Sequence, residues 1–286
     1  MDLVHSPTFV LVHGSNGNSF SWAPLQRELA LLGHRSLAVD LPGHGFGAAW
    51  TAAYQAPQDP AGLASAPSAS AGVTLRDSVD HLAGIVRRAR EHGPGIVVGH
   101  SRGGMTLTAL ANAVPDLLAR IVYISAWCCV DATPAEHMAG PEYASSALND
   151  LPNLLAADPA GLGALRMNWR IADPATLAAV KRSMLADGTD AEFLAYLNLL
   201  EPDEALDTGT PDDRADPETW GRVPHTYVRL TQDTSIPLAL QDRFIKEADA
   251  RTPGNPFDVR TLESSHVGFL VRPGEAAAML AEVAAG

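Results

Sequence analysis

Six short apolar runs rich in β-formers recur along this chain, and helical patterns separate them. The runs are residues 8–14, 35–43, 95–101, 120–126, 225–233 and 257–265. Three of them are almost continuously apolar, as expected for parallel strands covered by helices on both faces. The helical patterns lie at residues 19–33, 74–93, 104–120, 237–249 and 274–285. This alternation predicts an α/β fold with a mostly parallel sheet flanked by helices and joined by right-handed crossovers.

Two segments interrupt the alternation. Residues 48–73 are rich in Ala, Pro, Ser and Gly, a composition typical of a long, partly mobile loop. Residues 130–220 contain helical patterns but no good strand, which predicts a helical cap inserted after the strand at 120–126. The chain is therefore expected to form a core from residues 1–129 and 221–286, with the cap at 130–220.

Composition excludes several classes of partner. The chain has 286 residues, of which 46% are hydrophobic and 19% charged, values typical of a soluble globular protein. Its net charge is −13 and its only lysines are Lys181 and Lys246, which argues against binding to nucleic acid or to an anionic membrane. The first residues lack the basic region of a signal peptide, and no apolar run approaches the roughly 18 residues of a membrane span. We therefore expect a cytoplasmic protein.

The two cysteines are adjacent in the sequence. Cys128 and Cys129 follow an apolar run and cannot form a disulfide framework, so we expect them to be buried thiols. The chain is expected to need no metal and no cofactor.

The stretch VVGHSRGGMT contains the pattern G-x-S-x-G at Gly99, Ser101 and Gly103. It follows an apolar strand and opens a helix, which is the context of a nucleophile elbow, a sharp turn that exposes a catalytic serine. Glycines suit such a turn because side chains there would collide with the strand and the helix. An ordinary glycine-rich turn is the simpler alternative, and the strand–turn–helix context disfavours it.

A serine hydroxyl is a weak nucleophile and needs a base within hydrogen-bond reach. In this architecture the chain order is Ser, then Asp or Glu, then His. Three histidines follow Ser101: His137 lies in the expected cap, His225 opens a strand, and His266 follows the last strand directly. We therefore expect His266 to be the general base.

The acid of the triad has two candidates. Asp233 ends the strand before the last one, and Asp131 follows the strand at 120–126. Both lie at the sheet edge that carries Ser101. Asp233 is favoured because it is one element before His266, and its role would be to orient the imidazole. Glu263 is close to His266 in sequence, but we place it inside a strand, as a structural residue.

The oxyanion hole is expected to consist of two backbone N–H groups. One belongs to Arg102, directly after the nucleophile. The other comes from the loop after the first strand, where Ser15 is the favoured donor and Asn16 the next candidate.

With these residues in place, the chain resembles the α/β-hydrolase superfamily over essentially its whole length. The matching segments are LVHGSNGNSFSW, GHRSLAVDLPGHG, VVGHSRGGM, LTQDTSIP and ESSHVGFLVRPGE. Within the superfamily it is most similar to the branch of plant methylesterases and hydroxynitrile lyases, with their bacterial relatives. The resemblance implies a triad of Ser101, Asp233 and His266, a helical cap at about 130–220, and no cofactor.

Some residues depart from this branch. Its hydroxynitrile lyases carry a lysine after the catalytic histidine, where this chain has Val267, so the lyase activity is disfavoured. Ser101 argues against the epoxide hydrolases and haloalkane dehalogenases of the superfamily, which use aspartate at the elbow. Arg102 replaces a more usual apolar residue, and we expect its side chain to reach toward the cap.

These observations predict a serine hydrolase that cleaves a carboxylic ester, a methyl ester among the options, through an acyl-enzyme. The substrate is expected to be a small, bulky, partly apolar molecule, and Asn16, Trp127, Trp169 and Tyr196 are the candidate contacts. A C–C hydrolase, a thioesterase, or an acyltransferase or cyclase would use the same triad. A non-catalytic receptor for a small molecule also stays open, as does a homodimer.

Overall fold

The computed structural model describes residues 6–286, and its main sheet has six parallel strands. Expectations that concern residues 1–5, at the start of the predicted core, lie outside the described residues. The strands, numbered along the chain, are β1 (Thr8–Val12), β2 (Arg35–Val39), β3 (Gly95–Ser101), β4 (Arg120–Ala126), β7 (His225–Leu230) and β8 (Asp258–Leu262). Their spatial order is β2-β1-β3-β4-β7-β8, and every neighbouring pair is parallel. The predicted fold class is confirmed.

Eleven α-helices accompany the strands within the described residues. They are α1 (Ala23–Leu31), α2 (Pro60–Ser65), α3 (Leu75–Arg90), α4 (Gly103–Ala113), α5 (Pro134–Met138), α6 (Pro159–Leu162), α7 (Pro174–Met184), α8 (Asp190–Leu197), α9 (Leu238–Arg251), α10 (Gly268–Val271) and α11 (Gly274–Ala285). None of the helices in residues 6–286 has the combination of length and apolar character that crossing a membrane requires.

The sheet separates two apolar cores, and the alternation of side chains along β1 shows why. Val10 and Val12 point into the core that α3, α4 and α9 cover. Phe9 and Leu11 point to the other face, where α1 and α11 pack. Successive side chains of a strand point to opposite faces, so a strand buried on both sides is apolar at every position.

The segment at 130–220, called the cap segment below, contributes nothing to the main sheet, but it is not purely helical. Two three-residue strands, β5 (Ala164–Arg166) and β6 (Asp203–Ala205), pair antiparallel inside it. The expectation that this segment contains no strand was therefore wrong. Three residues are too few to produce a recognisable period of two, and Asp203 and Glu204 in β6 are both charged.

Residues 48–73 contain a helix, α2, and are attached to the cap segment. The buried guanidinium of Arg166 donates to the backbone carbonyls of Leu63 and Ala66 at 2.6 and 2.7 Å. The phenol oxygen of Tyr54 accepts the Trp169 N–H at 3.1 Å. The sequence predicted a long, partly mobile loop here, and it did not predict α2, because the composition gave no sign of a buried arginine that would hold the segment.

The chain order of the strands reverses at β1, which lies between β2 and β3. In open parallel sheets the crevice at the carboxyl ends of such strands is the usual place for a ligand. The loop that begins at His13 follows β1, and Ser101 ends β3, so both reach this crevice. The fold thereby brings together the two segments in which the sequence predicted the nucleophile and the oxyanion donors.

Candidate active site

Ser101 ends β3 in a backbone conformation that non-glycine residues rarely adopt, with φ at +54°. Such a left-handed residue costs about 1–3 kcal/mol and persists only where the surroundings enforce it. The helix α4 begins two residues later and packs directly behind the turn. A Cβ added to Gly103 would lie 2.6 Å from the carbonyl oxygen of His13, so a side chain there would push the turn away from β1. This is the geometry of a nucleophile elbow.

His266 and Asp233 form the hydrogen bond that the sequence predicted. Nδ1 of His266 lies 2.6 Å from Oδ2 of Asp233, and both residues are buried. With its Nδ1 proton donated to the carboxylate, the imidazole presents an unprotonated Nε2 on its other side. Ser101 and His266 border the same cavity. The structure therefore brings the three predicted triad residues to one place.

The Asp233 carboxylate is held by further donors. Ser125, in the adjacent strand β4, donates its hydroxyl to Oδ2 at 2.6 Å. The backbone N–H groups of Ser235 and Ile236 donate to Oδ1 at 2.7 and 2.9 Å. Sequence reasoning missed Ser125. The available signal was a serine inside the otherwise apolar run RIVYISA, because a buried hydroxyl requires a partner.

Asp131, the alternative acid, and Glu263 both have other partners. Asp131 accepts a hydrogen bond from Arg251 at 3.0 Å, and its side chain is half exposed. Glu263 accepts from Gln232 at 2.9 Å at the surface, and it follows β8 rather than lying inside it as expected. Asp233 is therefore the carboxylate that contacts His266.

A second histidine packs against the ring of His266. The ring centroids of His100 and His266 are 4.4 Å apart, and Phe269 contacts His100 from another side at 5.1 Å. Burial, and then the positive charge that His266 can carry, lower the pKa of His100 well below its usual value. His100 is thus a neutral packing surface for the His266 imidazole.

The loop after β1 approaches the nucleophile closely, and the peptide between Gly14 and Ser15 is held in a fixed orientation. A Cβ on Gly14 would lie 2.7 Å from the Cβ of Ser101, so only glycine fits. The Leu41 N–H donates to Nε2 of His13 at 3.1 Å, which leaves the proton on Nδ1 for the Gly14 carbonyl at 2.9 Å. Because a trans peptide is planar, fixing the Gly14 carbonyl also fixes the direction of the Ser15 N–H.

Within residues 6–286 neither the Ser15 N–H nor the Arg102 N–H donates to a protein acceptor. The Asn16 N–H, the other candidate donor, is occupied, because it donates to Oε2 of Glu204 at 2.8 Å. Of the three predicted donors, Ser15 and Arg102 therefore have backbone N–H groups that no acceptor in residues 6–286 occupies. The Arg102 side chain turns to the cap segment, where it donates to the carbonyl oxygens of Ala205, at 3.0 Å, and Asp207.

Comparison with known proteins agrees with this geometry. A model described as the alpha/beta hydrolase family matches residues 9–279. The chain belongs to this family. Solved structures of esterases share its fold, in line with the resemblance that the sequence predicted.

Among the relatives of this hydrolase is a pyrethroid hydrolase of Sphingobium wenxiniae, 24% identical over 96% of the chain and 86% of that protein. A crystal structure of a pyrethroid hydrolase from Sphingobium faniae superposes with a TM-score of 0.70, at 22% identity and 98% coverage of both chains. The crystal structure of polyneuridine aldehyde esterase gives a TM-score of 0.66, at 20% identity, covering 98% of this chain and 99% of the other.

The cavity beside Ser101 in this hydrolase has a volume of about 230 Å³ and is predominantly apolar. Three predicted contacts, Trp127, Trp169 and Tyr196, border it. The other apolar lining residues are Trp22, Met138, Tyr143, Leu148, Leu151, Met167, Met184, Ile236 and Leu270. No lysine, arginine, aspartate or glutamate borders the cavity in the described part of the chain. An uncharged, mostly apolar molecule fits these walls.

Asn16 borders the cavity too, but its side-chain amide is already bonded. Nδ2 donates to the carbonyl oxygens of Glu201 and Pro202 at 3.0 and 3.2 Å. Trp169 likewise donates its indole N–H to the Glu201 carbonyl at 2.9 Å, so it presents a ring rather than a donor. Across residues 6–286 no three His, Cys, Asp or Glu side chains are grouped so that they could hold a metal ion. The two cysteines are buried free thiols, as expected.

Proposed function

We propose that this hydrolase cleaves carboxylic esters with Ser101 as nucleophile, His266 as general base and Asp233 as the residue that orients the imidazole. The observation that carries the proposal is the 2.6 Å bond between Asp233 and His266 beside a strained Ser101 in one cavity. The names of relatives support an ester as the substrate, because they include a pyrethroid hydrolase and an esterase of Mycobacterium tuberculosis.

The proposed reaction has two halves. Nε2 of His266 takes the Ser101 hydroxyl proton while Oγ attacks the ester carbonyl, and the N–H groups of Ser15 and Arg102 receive the developing negative charge on its oxygen. His266 then gives the proton to the leaving alcohol, and the acyl group stays on Ser101. His266 then takes a proton from water, which attacks the acyl carbon, and returns that proton to Ser101 Oγ as the acid leaves.

The cavity supports a narrower proposal about the substrate. Its volume of about 230 Å³ is below the roughly 300–1,000 Å³ of pockets for drug-sized ligands, so a small ester fits best. Aromatic and methionine side chains suit a bulky apolar acyl group, and Met side chains adapt to irregular shapes. A methyl ester of such an acid is the form that leaves most of the cavity to the acyl group.

Two measurements test the function. A fluorophosphonate probe should label the folded wild type and fail to label Ser101→Ala, because only an activated serine reacts. The rates of hydrolysis should then be compared for the methyl, p-nitrophenyl and thiophenyl esters of one short branched acid and for a β-diketone.

Hydrolysis of the oxygen esters with loss of activity in Ser101→Ala supports the proposal. Activity confined to the thioester or to the β-diketone would reassign the same triad to a thioesterase or a C–C hydrolase. Absence of labelling together with measurable ligand binding would identify a receptor.

A further inference from the structure

A buried ion cluster contacts the loop after β1, and none of its four residues lines the substrate cavity. It consists of His44 from the loop after β2, Arg102 after the nucleophile, and Glu201 and Glu204 from the cap segment. Nδ1 of His44 lies 3.1 Å from Oε2 of Glu201, and its Nε2 lies 3.5 Å from Oε1 of Glu204. The side chains of His44, Glu201 and Glu204 are at least nine-tenths buried. The proposed mechanism gives Glu204, Glu201 and His44 no role.

Two members of the cluster, His44 and Glu204, are charged at neutral pH. Burial alone would lower the pKa of His44, but the hydrogen bonds and charges of Glu201 and Glu204 outweigh it and raise this pKa to about 10. Burial would raise the pKa of Glu204, whereas His44, the charge of Arg102 and the Asn16 N–H together lower it to about 2. Charges this deeply buried are tolerated only in pairs with good hydrogen bonds.

Glu204 contacts a group next to each of the two proposed oxyanion donors. Its Oε2 accepts the Asn16 N–H at 2.8 Å, one residue after the Ser15 donor. Its Oε1 lies 3.5 Å from Nε of Arg102, whose backbone N–H is the other donor. We propose that Glu204 is a positioning residue that holds the Ser15 and Arg102 N–H groups at the separation an oxyanion requires. This inference rests on the proposed function.

The loop needs such a partner. Asn16 has φ at +54°, a strained value for a residue with a side chain. The Gly14 carbonyl is held by His13 on one side of Ser15, and the Asn16 N–H is held by Glu204 on the other. Both peptide planes that flank Ser15 are therefore fixed, one from within the core and one from the cap segment.

The test uses Glu204→Gln in the full-length protein. The amide keeps the size and an acceptor oxygen but loses the charge that pairs with Arg102 and His44. Loss of one oxyanion donor costs about 100–1,000-fold in kcat, so a displaced donor should cost about 10–100-fold, with KM within about twofold. The readout specific to positioning is the affinity for a trifluoromethyl ketone, which adds Ser101 Oγ and becomes an oxyanion. That affinity should fall in parallel with kcat/KM, while binding of the matching methyl ketone stays unchanged.

Asp203→Asn is the matched control. Asp203 precedes Glu204 in β6 and points the opposite way, to the buried Arg166, without contacting the oxyanion loop. Asp203→Asn should lower the thermal stability of the protein. It should not weaken the binding of the trifluoromethyl ketone relative to that of the methyl ketone. The proposal is overturned if Glu204→Gln leaves kcat within threefold, if both ketones weaken equally, or if Asp203→Asn produces the same separation.

Should Glu204→Gln fail to fold, Arg102→Met carries the same test, because it removes the ion pair with Glu204 and retains the backbone N–H. A wild-type protein that neither hydrolyses esters nor distinguishes the two ketones would contradict the proposed function itself. An active wild type with an unchanged Glu204→Gln contradicts the positioning role alone.

Discussion

At the scale of single residues, the Asp233 carboxylate is held in place by hydrogen bonds to both of its oxygens. His266, the Ser125 hydroxyl and two backbone N–H groups all donate to its oxygens. These donors together allow the carboxylate one orientation. Because the carboxylate is bonded to Nδ1 of His266, it also fixes the orientation of the imidazole ring. Rigid placement of the base is what a serine nucleophile requires.

Asp233→Asn should lower kcat by about 10⁴-fold with little change in fold, because the amide can donate to Nδ1 and select the wrong tautomer of His266. Steady-state hydrolysis of an aryl ester measures the effect, and Asp131→Asn is the control because Asp131 pairs with Arg251 instead. Equal losses in the two variants would show that Asp233 has no special relation to the reaction.

Ser125→Ala should have a smaller effect. One hydrogen bond to a charged group contributes about 1.5–3 kcal/mol, but the other donors to Asp233 remain, so we expect a loss in kcat of about tenfold or less. Comparison of kcat in Ser125→Ala and Ser125→Thr checks this, since threonine restores the hydroxyl. A threonine variant as impaired as the alanine variant would argue for packing rather than hydrogen bonding.

At the scale of elements, the long periodic segments were predictable from the sequence. The short strands and the contacts between segments distant in sequence were not. The main strands and the longer helices followed from apolar runs of strand length and from helical periodicity, which are local patterns. The elbow and His266 followed from their position after strands. β5, β6 and the attachment of residues 48–73 were not predictable, because they depend on Arg166 meeting Asp203 and carbonyl groups about a hundred residues earlier.

Arg166→Ala should destabilise the protein by about 3 kcal/mol or more, because it leaves the buried carboxylate of Asp203 without its partner. Urea unfolding measures the loss, and limited proteolysis should cut residues 48–73 faster than in the wild type. The double variant Arg166→Met with Asp203→Leu should recover part of the stability, since neither position then carries a buried charge. A single variant with unchanged stability would contradict this description of the attachment.

At the scale of the whole molecule, two buried histidines make stability depend on pH in opposite directions. Burial and the charge of His44 lower the pKa of His13 to about 4, whereas the pKa of His44 is about 10. Both lie near 6.5 in the unfolded chain. The groups that face this pair are Glu201 and Glu204 from the cap segment and Asp40 after β2.

Below pH 6.5 the unfolded chain binds a proton at His13 that the folded protein does not, so stability falls as the pH drops toward 4. Above pH 6.5 the folded protein retains a proton on His44 that the unfolded chain releases, so stability falls as the pH rises toward 10. The difference in unfolding free energy between wild type and His44→Gln should therefore be largest near or below pH 6.5 and shrink toward pH 10. A difference that is constant from pH 6.5 to 10 would show that His44 is neutral in the folded protein.

The opposite orientations of Asp203 and Glu204 in β6 limit how a cap segment can be exchanged between two members of this family. The cap-segment residues that line the cavity are apolar or aromatic, and none of them belongs to β6. β6 cannot be exchanged alone, because Asp203 pairs with Arg166, which holds residues 48–73, and Glu204 accepts a hydrogen bond from the loop after β1. A chimera that receives a foreign cap should keep activity only if residues 13–18, His44 and Arg102 come from the same parent as β6.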